Sequence, residues 1–256
     1  MRLVNYLIFS VFAVSAATAA QAQDASALRQ IEQRGKTLLE LDRVAQAALA
    51  EAGETRSFRR DDDVLGWVWE PRGSAYTITF VGLDSDNAVI GRFRIVMSSS
   101  GQPLEELERL ERLPVAPRLA GQFLARQRAE RIEHPECSTT YDTFVLPGED
   151  GRWHVYLMPR SAFPDVHLLG GTLRVDVSAD GNTVQQALPL AADCTLLQDS
   201  PDVPALQTTH ADAAHPNELH VYVAQALGKP LYVTTTANQR TWLIDKGRIS
   251  EVATPE

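Results

Sequence analysis

VLGWVWEPRGSAYTITFVGLDSDNAVIGRFRIVM, residues 64–97, decides the fold class. Leu65–Trp69, Ala75–Val81 and Val89–Met97 are runs of β-branched and aromatic residues. Pro71-Arg72-Gly73 and Asp84-Ser85-Asp86-Asn87 separate them and have the chemistry of tight turns. The pattern predicts an antiparallel meander. In the third run Arg92, Arg94 and Val96 alternate with Phe93, Ile95 and Met97, which predicts one largely wet face.

Helical patterns flank the meander. Leu28, Ile31, Leu38, Leu41, Ala45, Ala48 and Leu49 form one apolar stripe and predict a helix over 24–52, with Asp24 or Ser26 to start it and Gly53 to end it. Gly35 weakens its middle by about 1 kcal/mol against Ala. The stripe packs on the domain's own sheet or seeds a coiled coil. Pro103 opens an expected acidic helix with Leu104, Leu107 and Leu110 on one side and Glu105, Glu106, Glu108 and Glu111 around them. Pro114 and Pro117 end it, and a basic helix is expected over Arg118–Ile132. The two are expected to pair by charge or to stay solvated.

Strand patterns return over 141–146, 152–158, 172–178 and 183–188, with turns at Asp150-Gly151 and Asp180-Gly181. Residues 201–216 read as loop. Strands are expected over 218–224, 231–236, 241–244 and 248–252, the last two joined at Asp245-Lys246-Gly247, and 254–256 read as a frayed tail. Runs of helices kept apart from runs of strands mean α+β. The expected organisation is two small layered units, 23–133 and 134–256, with one continuous sheet as the alternative.

Residues 1–22 read as a cleaved secretory signal peptide. Arg2 is a positive start, Leu7–Ala17 is apolar but for Ser10 and Ser15, and Ala20-Gln21-Ala22 places the cut before Gln23. The apolar run is too short to span a membrane. No cysteine lies at the cut and no twin-arginine pair precedes it, so the expected product is free of a lipid anchor, periplasmic or secreted. The chain carries 24 basic and 33 acidic side chains, a net charge of −9. That charge repels phosphate backbones and argues against nucleic acid or anionic lipid as a partner.

Cys137 and Cys194 are the two cysteines. In an oxidising compartment such a pair is expected to form a disulfide, worth roughly 4 kcal/mol in the chain-entropy model. The competing reading is a catalytic thiol at Cys137, with His134 lowering its pKa. Elsewhere there is no Gly-x-Ser-x-Gly elbow, His-Glu-x-x-His, phosphate loop or dinucleotide fingerprint, so the sequence points to no catalytic residue set and to no cofactor. His210, Asp212, His215 and His220 are candidate metal ligands, although a spacing of five does not put two imidazoles on one helix face. His154-Val155-Tyr156-Leu157 and His220-Val221-Tyr222-Val223 look alike. Were both strands and neighbours, His154, Tyr156, His220 and Tyr222 would line one polar pocket; otherwise they are ordinary sheet-surface residues. Asp61-Asp62-Asp63 and the Asp84–Asn87 turn offer carboxylates to calcium without its twelve-residue loop, and Arg59 and Arg60 balance the first group.

Pro135-Glu136-Cys137, Val145-Leu146-Pro147, Trp153–Leu157, Gly170-Gly171, Ala179-Asp180-Gly181, Asp193-Cys194, Glu218–Tyr222, Pro230–Val233 and Gly247-Arg248-Ile249 follow one another in an order that resembles uncharacterised exported proteins of proteobacteria. Gly35–Ala47 and Gly66–Glu70 extend the resemblance over most of the mature chain. It implies export and transfers no catalytic role. The expected function is that of an exported envelope component that binds a small molecule or an envelope protein, or serves structurally. The alternatives are a periplasmic metal-binding protein or enzyme using the 154–220 histidines, and an inhibitor or immunity-type protein with a protein partner.

Overall fold

The computed structural model describes residues 9–253 except Pro135, Glu149, Pro164, Asp165 and Ala192, with side chains from Asp24 onward. The first eight residues of the expected leader and the expected tail at 254–256 lie outside the described residues. The fold is α+β, with antiparallel sheets, a long first helix and a central helix. Two compact units divide it: residues 1–36 with 207–256, and residues 37–206. The division does not fall near residue 133.

Helix α1 (Phe9–Glu54) runs through both segments; of the predicted stripe Leu38, Leu41, Ala45 and Ala48 are buried, joined by Val44 and Ala52, while Leu49 is 44% exposed. Its end is held by Arg59, whose guanidinium donates to the carbonyls of Gly53 and Glu54, the groups a helix leaves unpaired. Arg59 closes a short helix α2 (Arg56–Arg59).

Within 37–206 the meander forms as expected. Strands β1 (Gly66–Arg72), β2 (Ala75–Leu83), β3 (Val89–Ser98) and the two-residue β4 (Glu108–Arg109) pair in sequence order. Gly73, at φ +64°, makes the first turn, and the Asp84 carboxylate accepts from the amides of Asp86 and Ala88 in the second. The expected wet face of β3 is wrong at Arg92 and Val96, which are 3% and 4% exposed, and holds at Arg94. The Arg92 guanidinium is buried against Asp61 and Asp63, so the aspartates read as calcium ligands balance a buried arginine instead.

The acidic helix expected after Pro103 does not form. The segment runs extended beside β3, with Leu104 N–H donating to Val96 O and Leu110 N–H to Arg92 O. Prolines at 103 and 114 interrupt helical hydrogen bonding, and the glutamates find meander arginines: Glu105 meets Arg72 and Glu108 meets Arg94. The acidic and basic segments therefore are not the charge-paired helices expected.

Helix α3 (Pro117–Ala129) explains why no boundary falls near 133. Pro117 sits in the first turn, where its missing N–H costs nothing. Phe123 packs on Val68, Val81 and Val89 of the meander. Ala125 and Ala129 pack on Val145, Trp153, Val155 and Val175 of a second antiparallel sheet, β5 (Tyr141–Pro147), β6 (Trp153–Pro159), β8 (Leu173–Val177) and β9 (Val184–Pro189). Gln122 accepts from Trp69 N–H, and the Trp69 indole donates to Val145 O at 2.7 Å. One helix thus serves two sheets. Gly121 and Gly181 permit the contact with the β8–β9 turn, since a Cβ on Gly121 would stand 2.3 Å from Ala179 O. A two-stranded ribbon, β7 (Val166–Leu168) with β10 (Leu196–Gln198), completes this unit.

The other unit holds a sheet ordered β11 (Leu206–His210), β12 (Leu231–Thr235), β13 (Arg240–Asp245), β14 (Arg248–Glu251) and helix α4 (Glu218–Leu227). β11 lies in the stretch expected to be loop. α4 replaces the strand expected over 218–224. Asn217 caps its start, Gly228 ends it at φ +63°, and Leu219, Val221, Val223 and Ala224 are buried. Capping and packing on both neighbours outweigh the β preference of the His-Val-Tyr-Val run. α4 meets α1 at Gly35, where a Cβ would lie 2.5 Å from Val221 Cβ and 2.7 Å from Glu218 O. The glycine read as a weak point is what lets the helices touch.

Candidate functional site

The expected His154–Tyr156–His220–Tyr222 pocket is not built. His154 and Tyr156 share one face of β6, but His220 and Tyr222 belong to helix α4 of the other unit, so the strand-against-strand arrangement cannot exist. Tyr156 is fully buried and offers no surface to a ligand.

His154 has a partner the sequence did not suggest. It sits opposite Asp176 on β8, with its Nδ1 2.6 Å from an Asp176 carboxylate oxygen. Asp176 is 3% exposed and also faces Arg174 at 3.2 Å and Arg152 at 4.0 Å. A buried carboxylate needs such company. The pairing orients the imidazole, and Nε2 lies in the space a Cβ on Gly148 would fill, 2.9 Å away.

The second histidine group lies in the α4 unit. The His210 and His220 rings are 4.8 Å apart, and the His215 ring is 5.2 Å from Trp242. His220 is at the third position of α4, where its Nδ1 accepts the Asn217 N–H while the Asn217 side chain accepts from Leu219 and His220, a reciprocal capping box. Burial, followed by the charge of His210, pushes the His220 pKa down to about 3. His210 Nδ1 is 3.1 Å from the His215 carbonyl, which can only accept, so that nitrogen donates. The Asp212 backbone N–H donates to Thr236 Oγ1. The structure therefore brings His210 and His220 together but sets neither Asp212 nor His215 as a third ligand, and no three metal-binding side chains converge among the described residues.

A third location is concave. Glu130, Arg131, Ile132, Glu133, His134 and Tyr141, with Glu136–Thr139, line a cleft of about 830 Å³ between the end of α3 and the start of β5. Cys137 forms part of its wall and is bridged to Cys194, with Cα atoms 5.3 Å apart. No free cysteine remains among the described residues, so the catalytic-thiol reading of Cys137 gives way to the disulfide. Tyr141 organises the wall. Its hydroxyl accepts the Cys137 N–H at 3.1 Å, and its ring meets His134 edge-on at 4.5 Å. His134 Nδ1 lies 2.8 Å from the Ile132 carbonyl, which fixes Nδ1 as the donor and leaves the Nε2 lone pair free of that bond. The cysteines were legible in the sequence; the tyrosine and the glycine pair beneath them were not. A Cβ on Gly171 would stand 2.6 Å from Cys137 Sγ, and Gly171 takes φ +81°.

Compared with known proteins, the chain matches no family model, no curated protein and no solved structure. The geometry of these three places is what a functional reading has to rest on.

Proposed function

We propose that this chain is exported behind a cleaved leader and works outside the cytoplasm as a binding component of the cell envelope, presenting the Glu130–Tyr141 cleft to a small molecule or an envelope protein. The Cys137–Cys194 bridge carries the reading. It uses both cysteines of the chain, and structural disulfides persist where thiols are not continually reduced. The apolar Leu7–Ala17 run and Ala20-Gln21-Ala22 point the same way. No helix among the described residues is long and apolar enough to cross a membrane.

Expression of the full chain in a bacterial host tests export. The expected product is an envelope-fraction protein beginning at Gln23, two hydrogens lighter than its reduced form. A full-length cytoplasmic product with two alkylatable thiols refutes it. Binding is tested with a photoreactive residue at exposed Thr139 on the cleft, against one at exposed Gln185 on β9. A discrete adduct from Thr139 alone is expected; equal adducts from both positions, or none, defeat the assignment to the cleft.

A further inference from the structure

We propose that the Cys137–Cys194 bridge undergoes thiol–disulfide exchange in the folded protein, with attack at Cys194 and release of Cys137 into the cleft, and that its reductant is a dithiol. The two sulfurs have unlike surroundings. Cys194 is exposed, on the segment leading into β10. Cys137 is half-buried, with Gly171 packed against its sulfur and Tyr141 holding its backbone N–H. Access decides which sulfur an incoming thiolate reaches, and it reaches Cys194.

The electron and proton balance is complete. A thiolate of the dithiol forms a bond to Cys194 Sγ as the Cys137–Cys194 bond breaks, and Cys137 leaves as a thiolate. Water returns the proton. The second thiol of the dithiol then attacks the mixed disulfide, releasing Cys194 as a thiol. The dithiol ends oxidised to a disulfide, and this chain gains two electrons and two protons.

What the exchange releases is local. The bridge ties the strand-free segment ahead of β5 to the segment entering β10, which pairs with β7 over three residues, buries Leu197 and has the Thr195 carbonyl accepting from Leu169 and Gly170. Neither cysteine is a member of the two core clusters that α3 builds. Reduction would therefore loosen the ribbon and one wall of the cleft while both main sheets of the unit stay packed. The inference goes beyond the proposed binding role and is read on the purified oxidised chain wherever that chain resides.

The test treats oxidised protein with a millimolar uncharged monothiol at pH 8, quenches with acid, and maps the mixed disulfide by peptide mass. The adduct is expected on Cys194 in about ten-fold excess over Cys137. The same reaction is followed across sub-denaturing urea. Exchange in the folded state gives a rate flat in urea, whereas exchange through unfolding rises steeply with it. An adduct on Cys137, a rate that climbs with urea, or an inert bridge in native buffer each overturns the proposal.

Discussion

Acid should unlock helix α4 through a single imidazole. His220 is 3% exposed, accepts the Asn217 N–H through Nδ1 and lies against His210. Protonation would replace that lone pair with a donor facing a donor, and would add positive charge at the positive end of the helix. Its folded-state pKa is depressed from 6.5 to about 3, so the unfolded chain binds the extra proton and stability falls as pH drops from about 6.5 toward 3. One pKa unit is worth about 1.4 kcal/mol, so at about pH 4.5 this side chain alone removes on the order of 3 kcal/mol. The perturbation that isolates it is His220→Gln. Glutamine at the third helical position can still accept the capping N–H but does not titrate. Urea unfolding of both proteins at pH 7 and pH 4.5 measures the effect, since all other carboxylates and histidines cancel in the comparison. Wild type should lose on the order of 3 kcal/mol more than His220→Gln over that interval. Equal losses in the two proteins would refute the reasoning.

Three further outcomes follow from the packing. Gly35→Ala should destabilise by roughly 2 kcal/mol in chemical denaturation despite alanine's better helix propensity, because the added Cβ would stand 2.5 Å from Val221 Cβ. A stabilised variant would mean that α1 and α4 do not cross there. Arg92→Leu should cost about 3–5 kcal/mol by leaving Asp61, 6% exposed at its side chain, buried without its cation. Adding Asp61→Asn to that variant should recover part of the loss, and no recovery would show that the charge is not the cause. Cys137→Ser should lower stability by about 4 kcal/mol in the chain-entropy limit for a bridge spanning 57 residues, with far-ultraviolet circular dichroism unchanged at neutral pH.

The meander, α3, strands β5, β6, β8 and β9 and the final hairpin were legible because each carries its signal locally: alternation of side chains and turn residues at the right places. The acidic helix does not form because Glu105 and Glu108 meet arginines of the meander, Arg72 on β1 and Arg94 on β3, rather than the basic helix that follows them in sequence. The strand at 218–224 failed for a related reason. His-Val-Tyr-Val has strand propensity, but Asn217 and Gly228 bracket a helix of ten residues, and those caps were there to be read. β7, β10 and β11 are three to five residues long, too short to show a period.

The disulfide partners followed from counting cysteines, and the α+β class from where strand and helix patterns fall along the chain. Both depend on composition and on neighbours in sequence. What only the tertiary structure decided is where charge and space are shared between distant segments. Asp176 orients His154 from across a sheet, Arg92 draws in Asp61 and Asp63, and His220 serves as a helix cap. Glycines 35, 121 and 171 are required by atoms of residues 221, 179 and 137. A side chain's role is set by the groups that meet it after burial, when desolvation makes each polar partner count, and that company is assembled by folding.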